Sequence, residues 1–145
     1  MFTFGREHEL KCALRDIKSE PNVRLITQVV EAVHDLLEGK SRAVPIQHVI
    51  IEAFSFGGSG VWERTGDWLR QLSRENPEML DTWRELSRSH NGKVRFRVAC
   101  FLNEMPRDLA LEIGIQFSRD ISQKVRDMAE ARLEEIGDPK KDSGV

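Results

Sequence analysis

A short valine-arginine motif recurs along the chain and constrains the fold more than any other feature of the sequence. It begins the segments "NVRLITQVV", "GVWERTGDWL", "KVRFRVACFL" and "KVRDMAEARL", whose valines are Val23, Val61, Val94 and Val125. The intervals between these valines are 38, 33 and 31 residues, which is the period of repeats built from two helices. Three copies continue with arginine, and the second continues with Trp62. The sequence therefore predicts four copies of a helical hairpin.

Other signals favour helices throughout the chain. There is no tyrosine and no sustained alternation of apolar and polar residues, so strands are not indicated. Pro21, Pro45, Pro77 and Pro106 each stand near the start of a segment with apolar residues at helical spacing, where a proline costs little. We predict eight helices, at about residues 6–19, 22–38, 44–55, 61–74, 77–89, 92–104, 106–118 and 121–136. The connector "FGGSG", residues 56–60, is expected to be the most flexible.

A single hairpin cannot bury its apolar face, so stacked hairpins would share one continuous core. We expect one domain over residues 1–136, since a chain of 145 residues suffices for one sizeable core. Residues 137–145 are expected to form a disordered tail. The predicted core residues of the second and third copies are Val61, Thr65, Trp68, Leu69, Leu72, Val94, Val98, Phe101, Leu102 and Met105.

The motif resembles that of HEAT repeats. The resemblance rests on the valine-arginine pair, on Asp120 six residues before Arg126, and on an alanine or valine one turn later. It covers most of the chain, roughly residues 6–136. It implies an all-α, right-handed α-solenoid of about four stacked hairpins, in which Arg95 and Arg126 form structural bonds along the stack. The chain departs from the pattern at Arg95, which has Ser89 where the aspartate belongs, so we expect an irregular ladder of such bonds.

The charge balance argues against a polyanionic partner. The chain has 22 basic and 24 acidic residues and a formal net charge of −2, which gives no bulk attraction to nucleic acid or to an anionic membrane. Cys12 and Cys100 are too few and too far apart for a disulfide framework. No membrane-spanning run or signal peptide is evident. We therefore expect a cytoplasmic protein with reduced thiols.

Motifs for catalysis, metal binding or cofactor binding are not evident. The four histidines are scattered along the chain, so we predict no metal site. The glycines at residues 57–60 lack the lysine and the preceding strand of a phosphate-binding loop. Ser59 lacks the flanking pattern of a nucleophile elbow. We therefore expect no enzymatic activity and no cofactor.

The remaining candidates are surface residues of the second helix of each hairpin, which would line an extended face suited to a partner. Acidic residues on these helices predict an acidic stripe, with Trp62 at its centre as an anchor of the kind that interfaces use. An alternative is that these acids are ordinary solubilising charges interleaved with Arg64, Arg70, Arg97 and Arg132. The predicted partner-binding residues are Glu31, Asp35, Trp62, Glu63, Asp67, Asp127, Glu130 and Glu134.

We hypothesise a protein-binding module. Many small bacterial proteins of similar appearance are immunity proteins that neutralise a cognate toxin, and an acidic stripe would complement a basic, nuclease-type toxin. One alternative is an enzyme resembling the HEAT-like DNA glycosylases for alkylated bases, with Trp62, Asp67 and Trp68 in their groove. The missing positive field weighs against that alternative. Another alternative is an adaptor that binds a cellular protein, which the sequence does not distinguish from an immunity protein.

Overall fold

The computed structural model describes residues 5–137, and in this range the chain forms eight α-helices and no β-strand. The all-α class and the number of helices are therefore confirmed for that range. The predicted tail, apart from Gly137, lies outside the described residues. The helices are α1 (Arg6–Leu14), α2 (Glu20–Leu37), α3 (Ala43–Phe56), α4 (Val61–Glu75), α5 (Leu80–Ser87), α6 (Gly92–Ala99), α7 (Arg107–Phe117) and α8 (Gln123–Gly137).

The first predicted helix is too long, because a strong start signal for α2 interrupts it. The Ser19 hydroxyl accepts a hydrogen bond from the Asn22 amide at 3.4 Å, and Pro21 stands in the first turn of α2. Ser19 is extended, as an N-cap residue must be. The helix that begins at Arg6 therefore ends at Leu14, five residues earlier than predicted.

Two other predicted helices each contain a shorter α-helix and a 3-10 turn. The predicted helix at 77–89 begins with the 3-10 turn Pro77–Met79 and continues as α5. The predicted helix at 92–104 is α6 followed by the 3-10 turn Leu102–Glu104. Pro106 explains where the second of these segments ends, since a proline disfavours helical backbone in the residue before it. Met105 is accordingly extended.

The chain divides between Thr82 and Trp83 into two compact units, and the prediction of one domain over residues 1–136 stays a prediction. In the first unit, α2 packs against α1, α3 and α4, and α3 packs against α4. The core of this unit is apolar and almost wholly inaccessible to water. Its largest side chains that are less than 2% exposed are Ile26, Ile46, Ile50, Phe54, Leu69, Leu72 and Met79.

In the second unit, α8 packs against α6, against α7 and against the turn Leu102–Glu104. The rings of Trp83 and Phe101 are tilted by 37°, with centroids 5.3 Å apart, and both side chains are buried. All ten core residues predicted from the second and third copies of the motif are buried in their respective units. Helical spacing therefore identified the apolar residues correctly, but Arg97 of α6, which the alternative explanation counts among the solubilising charges, is only 5% exposed.

An ion pair links two copies of the motif in the second unit. Arg95 of α6 donates from Nε to Asp120 Oδ2 at 2.8 Å, and from Nη2 to Asp120 Oδ1 at 3.2 Å. Its Nη1 donates to the Ser89 carbonyl oxygen at 2.9 Å, and Arg126 Nη1 donates to the Asp120 carbonyl oxygen at 2.6 Å. Each arginine thus bonds the backbone carbonyl six residues before it. A backbone acceptor does not require an aspartate, so the Ser89 carbonyl serves Arg95 as the Asp120 carbonyl serves Arg126, while the Asp120 carboxylate binds Arg95.

The connector at residues 56–60 is held in place by specific contacts. The Gly58 amide donates to Asn22 Oδ1 on α2 at 3.0 Å, although the two residues are 36 positions apart. Gly60 has a φ of +88°, a conformation that glycine adopts without strain. The Gly60 amide also donates to Glu63 Oε1 at 2.7 Å. The flexibility expected of this segment from its composition is therefore opposed by its tertiary contacts.

Candidate protein-binding surfaces

The predicted acids of α2 lie beside an arginine of α1. Arg6 bonds Glu31 through Nη1, and its Nη2 donates to Asp35 Oδ1 at 2.8 Å and to Glu38 Oε2 at 3.3 Å. The hydrogen bond to Asp35 is the main reason that the pKa of Arg6 is raised above its ordinary value. Lys40 approaches Glu38 to 2.8 Å, and this hydrogen bond is the main reason that the pKa of Glu38 is lowered. Three carboxylates face two cations, so this cluster retains a negative charge.

The same two predicted acids line a groove between α2 and α3. The groove has a volume of about 460 Å³, and the half-buried Ala32 and Val49 contribute apolar surface to its lining. Glu31 and Asp35 line the α2 side, and Glu52 lines the α3 side. Glu52 is exposed and has no ion-pair partner within residues 5–137. Sequence reasoning missed Glu52 because it lies on the first helix of its hairpin, whereas only second helices were considered.

The predicted residues of α4 have contacts within their own unit. The Trp62 ring is half-buried and meets Phe54 of α3 edge-on, with ring centroids 5.9 Å apart and an interplanar angle of 84°. Glu63 is exposed, and its carboxylate accepts the Gly60 amide and so caps the start of α4. Glu63 and Trp62 therefore both have structural roles, which a change at either residue would disturb.

Asp67 on the same helix is also engaged. Its Oδ1 accepts from Arg70 Nη2 at 2.6 Å and from Arg70 Nε at 3.2 Å, and its Oδ2 accepts from Gln71 Nε2 at 2.9 Å. Of the arginines in the alternative explanation, Arg70 therefore does neutralise a predicted site residue. A catalytic role for Asp67, as the DNA glycosylase hypothesis requires, would need this carboxylate to exchange those partners for a substrate.

The predicted acids of α8 form a second group, in the second unit. Asp127, Glu130 and Glu134 are all exposed and line a groove of about 490 Å³ between α7 and α8. Among the described residues none of the three has an ion-pair partner. Gly114 of α7 allows the close approach of these helices, since a Cβ there would lie 2.7 Å from Leu133 Cδ1. The structure thus divides the predicted acids between the two units, and one continuous acidic stripe stays a prediction.

A third groove was not anticipated from the sequence. It lies between α6 and α8, has a volume of about 760 Å³, and contains the side chains of Phe96, Met128 and Ala131. Lys93 and Lys124 also line it. These lysines occupy the same position in the third and fourth copies of the motif, immediately before the valine. That repetition was visible in the sequence, but it was used only as evidence of the repeat.

A histidine and a cysteine also lie together on α1. Cys12 Sγ is 3.5 Å from His8 Nε2, one helical turn away. The spacing of four residues would have indicated this pair, and it was overlooked in the sequence. Within residues 5–137 there is no cluster of three or more histidine, cysteine or acidic side chains suited to hold a metal ion. None of the helices in that range is both long enough and apolar enough to span a bilayer.

Comparison of the chain with protein-family models, with curated proteins and with solved structures finds no match.

Proposed function

We propose that this chain is a non-catalytic protein-binding module, and specifically an immunity protein that neutralises a cognate toxin by covering its active site or substrate-binding site. The observation that carries this proposal is the groove between α2 and α3, whose lining includes both apolar residues and the carboxylates of Glu31, Asp35 and Glu52. A groove with apolar and acidic lining suits a basic segment of a partner. Apolar contacts would hold the complex, and the opposite charges would speed its formation.

The exposed carboxylates of α8 support the same proposal independently. A second groove is lined by three carboxylates that are exposed to solvent, those of Asp127, Glu130 and Glu134. Exposed acids repel one another on one helix face, so a basic partner that neutralises them would gain binding energy. A nuclease-type toxin has a basic substrate groove of this kind. We expect the module to act in the cytoplasm, where such a toxin would otherwise reach its substrate.

We also propose that the four hairpins form a right-handed, HEAT-like α-solenoid. A bond from the motif arginine to the carbonyl six residues earlier supports this arrangement, because it occurs at both Arg95 and Arg126 in the second unit. The ion pair between Arg95 and Asp120 adds a bond from one copy of the motif to the next.

The decisive first experiment is affinity capture of the chain from its source organism, co-expressed with its neighbouring genes, followed by mass spectrometry. A stoichiometric partner encoded beside it, whose toxicity the chain suppresses, is the expected result. A partner without toxicity, encoded in a regulatory or metabolic operon, would replace immunity by an adaptor function. Retention of nucleic acid without a protein partner would contradict both functions.

The acidic surface is tested by charge reversal at residues without a structural partner. We expect Glu52→Lys, and separately Glu130→Lys with Glu134→Lys, to weaken binding to the captured partner by about tenfold or more, mainly through slower association. These positions are preferable to Glu63 and Asp67, whose carboxylates cap α4 and bind Arg70. The matched control is Glu75→Lys with Glu85→Lys, two exposed residues outside these grooves. Equal affinities for all variants would exclude an acidic interface.

A further inference from the structure

We propose that the groove between α6 and α8 binds a segment of a partner protein in which a bulky apolar side chain stands next to carboxylates. This inference rests on the proposed function only in that the chain binds another protein. It adds a second binding site, of opposite charge to the acidic surfaces. The groove is the largest of those described above, with a volume of about 760 Å³, which is enough for several side chains of a ligand.

The interior of the groove is apolar and incompletely covered. Phe96 and Met128 are half-buried, and Ala131 is exposed. These three residues come from the facing sides of α6 and α8. Phenylalanine and methionine are both enriched at protein-binding surfaces, where they contact apolar groups of a partner. The chemistry of the groove interior thus requires an apolar group in the occupant.

The positive charges at the starts of α6 and α8 require carboxylates beside the apolar group of the occupant. Lys93 and Lys124 are exposed, and the part of the chain that the structure describes offers neither ammonium group an ion-pair partner. They lie in the first turns of α6 and α8, so the positive ends of both helix dipoles add to their field. Asp127, one turn further along α8, is the one carboxylate in the lining. Two lysines and two helix starts outweigh it, and the groove therefore complements an acidic segment.

An apolar residue beside the groove is presented to water by a turn held in place. Ile121 is 92% exposed, and its neighbour Ser122 lines the groove. The Ser122 amide donates to Asp120 Oδ1 at 2.9 Å, and Asp120 is in turn bound by Arg95. These bonds fix the residues on both sides of Ile121, so its exposure is imposed by the fold. An isoleucine held in water at the edge of an apolar groove extends the surface that a partner would cover.

The test uses the full chain and a displayed library of short random peptides. We expect selection to enrich peptides with a bulky apolar residue flanked by aspartate or glutamate. The affinity of a synthetic enriched peptide is then measured by fluorescence anisotropy. We expect Ala131→Glu, and separately Lys93→Glu with Lys124→Glu, to weaken binding by about tenfold or more. Ala131 is exposed on a helix, where glutamate is well tolerated, and circular dichroism would verify that each variant is folded.

Matched controls and alternative outcomes separate this inference from the proposed function. Lys11→Glu with Lys18→Glu changes the net charge equally at exposed residues outside the groove, and its affinity should stay within about twofold. Enrichment of basic peptides, or no enrichment, would overturn the groove assignment. Neither result would bear on the immunity function, which is tested by affinity capture of a toxin. Self-association of the chain that Ala131→Glu abolishes would assign the groove to a second copy and overturn it too. If acidic peptides bind through the groove but affinity capture finds no toxin, the groove assignment would be supported and the immunity function would be contradicted.

Discussion

At the scale of single residues, the ion pair between Arg95 and Asp120 joins α6 to the segment that precedes α8. The two side chains are only 12% and 8% exposed. Burial by itself would raise the pKa of Asp120, but the hydrogen bonds from Arg95 and from the Ser122 amide outweigh it, and the pKa is lowered. The lowered pKa means that folding favours the ionised carboxylate. Asp120 therefore stabilises the fold through its negative charge as well as through its hydrogen bonds.

We predict that Asp120→Asn lowers the free energy of unfolding at neutral pH by about 3 kcal/mol, because it leaves Arg95 without a countercharge. Asparagine can still accept the Ser122 amide through Oδ1, but its Nδ2 cannot accept from Arg95 Nε, so the change removes the charge and one hydrogen bond together. The stabilisation is fully present above the unfolded-state pKa of about 3.9 and is lost as the pH falls through the lower folded-state pKa. Urea unfolding of both proteins between pH 7 and pH 2.5 measures this difference.

The matched control is Asp127→Asn, an exposed aspartate on α8, which should change stability by less than about 0.5 kcal/mol. A cost of Asp120→Asn that is the same at both ends of this pH range would contradict a role for the charge. The lost stability would then reflect only altered hydrogen-bond geometry.

At the scale of elements, the junction of α3 and α4 depends on Gly57, and the glycine-rich composition of the connector does not reveal the reason. Gly57 has a φ of −69° and a ψ of 146°, which any residue can adopt. A Cβ at this position would overlap the Ala53 carbonyl oxygen and Val61 Cγ1, and would lie 2.8 Å from Val61 Cβ. The requirement for glycine therefore comes from the close approach of the two helices.

We predict that Gly57→Ala lowers the free energy of unfolding by about 2 kcal/mol or more. Relieving the overlap requires the backbone of α3 or the buried Val61 to move, and overpacking of this kind is costly. Gly137→Ala is the matched control, since nothing lies within 4 Å of a Cβ added there. Thermal and urea unfolding of the three proteins give the comparison. Equal stability of both variants would mean that this junction adjusts easily.

At the scale of the whole molecule, the bulk charge conceals the separation of charges on its surfaces. The formal net charge is −2, yet the groove between α2 and α3 is lined by acids and that between α6 and α8 by two lysines. Net charge sets solubility and long-range steering, whereas recognition depends on the charges within about one Debye length of the contact. The argument from composition against a polyanionic partner therefore says little about individual grooves.

We predict that the far-ultraviolet circular dichroism of the chain reports mainly helix, because the eight α-helices comprise about two thirds of its residues. The measurement is made on the full chain at neutral pH, with heating to verify that the signal belongs to a cooperative fold. A spectrum dominated by strand would contradict the helical class and, with it, the repeat inferred from the valine-arginine motif.

The sequence by itself determined the helical class, the number of helices and the buried apolar residues of α4 and α6. Those properties follow from apolar residues at helical spacing and from local cap residues such as Ser19 and Asn91. Only the tertiary structure decided which charged residues have partners. Arg6 bonds Glu31 and Asp120 bonds Arg95, each from 25 residues away, and Lys93 and Lys124 line one groove from two different helices. Helical periodicity specifies the face on which a side chain lies, whereas its neighbours on other helices depend on how those helices pack.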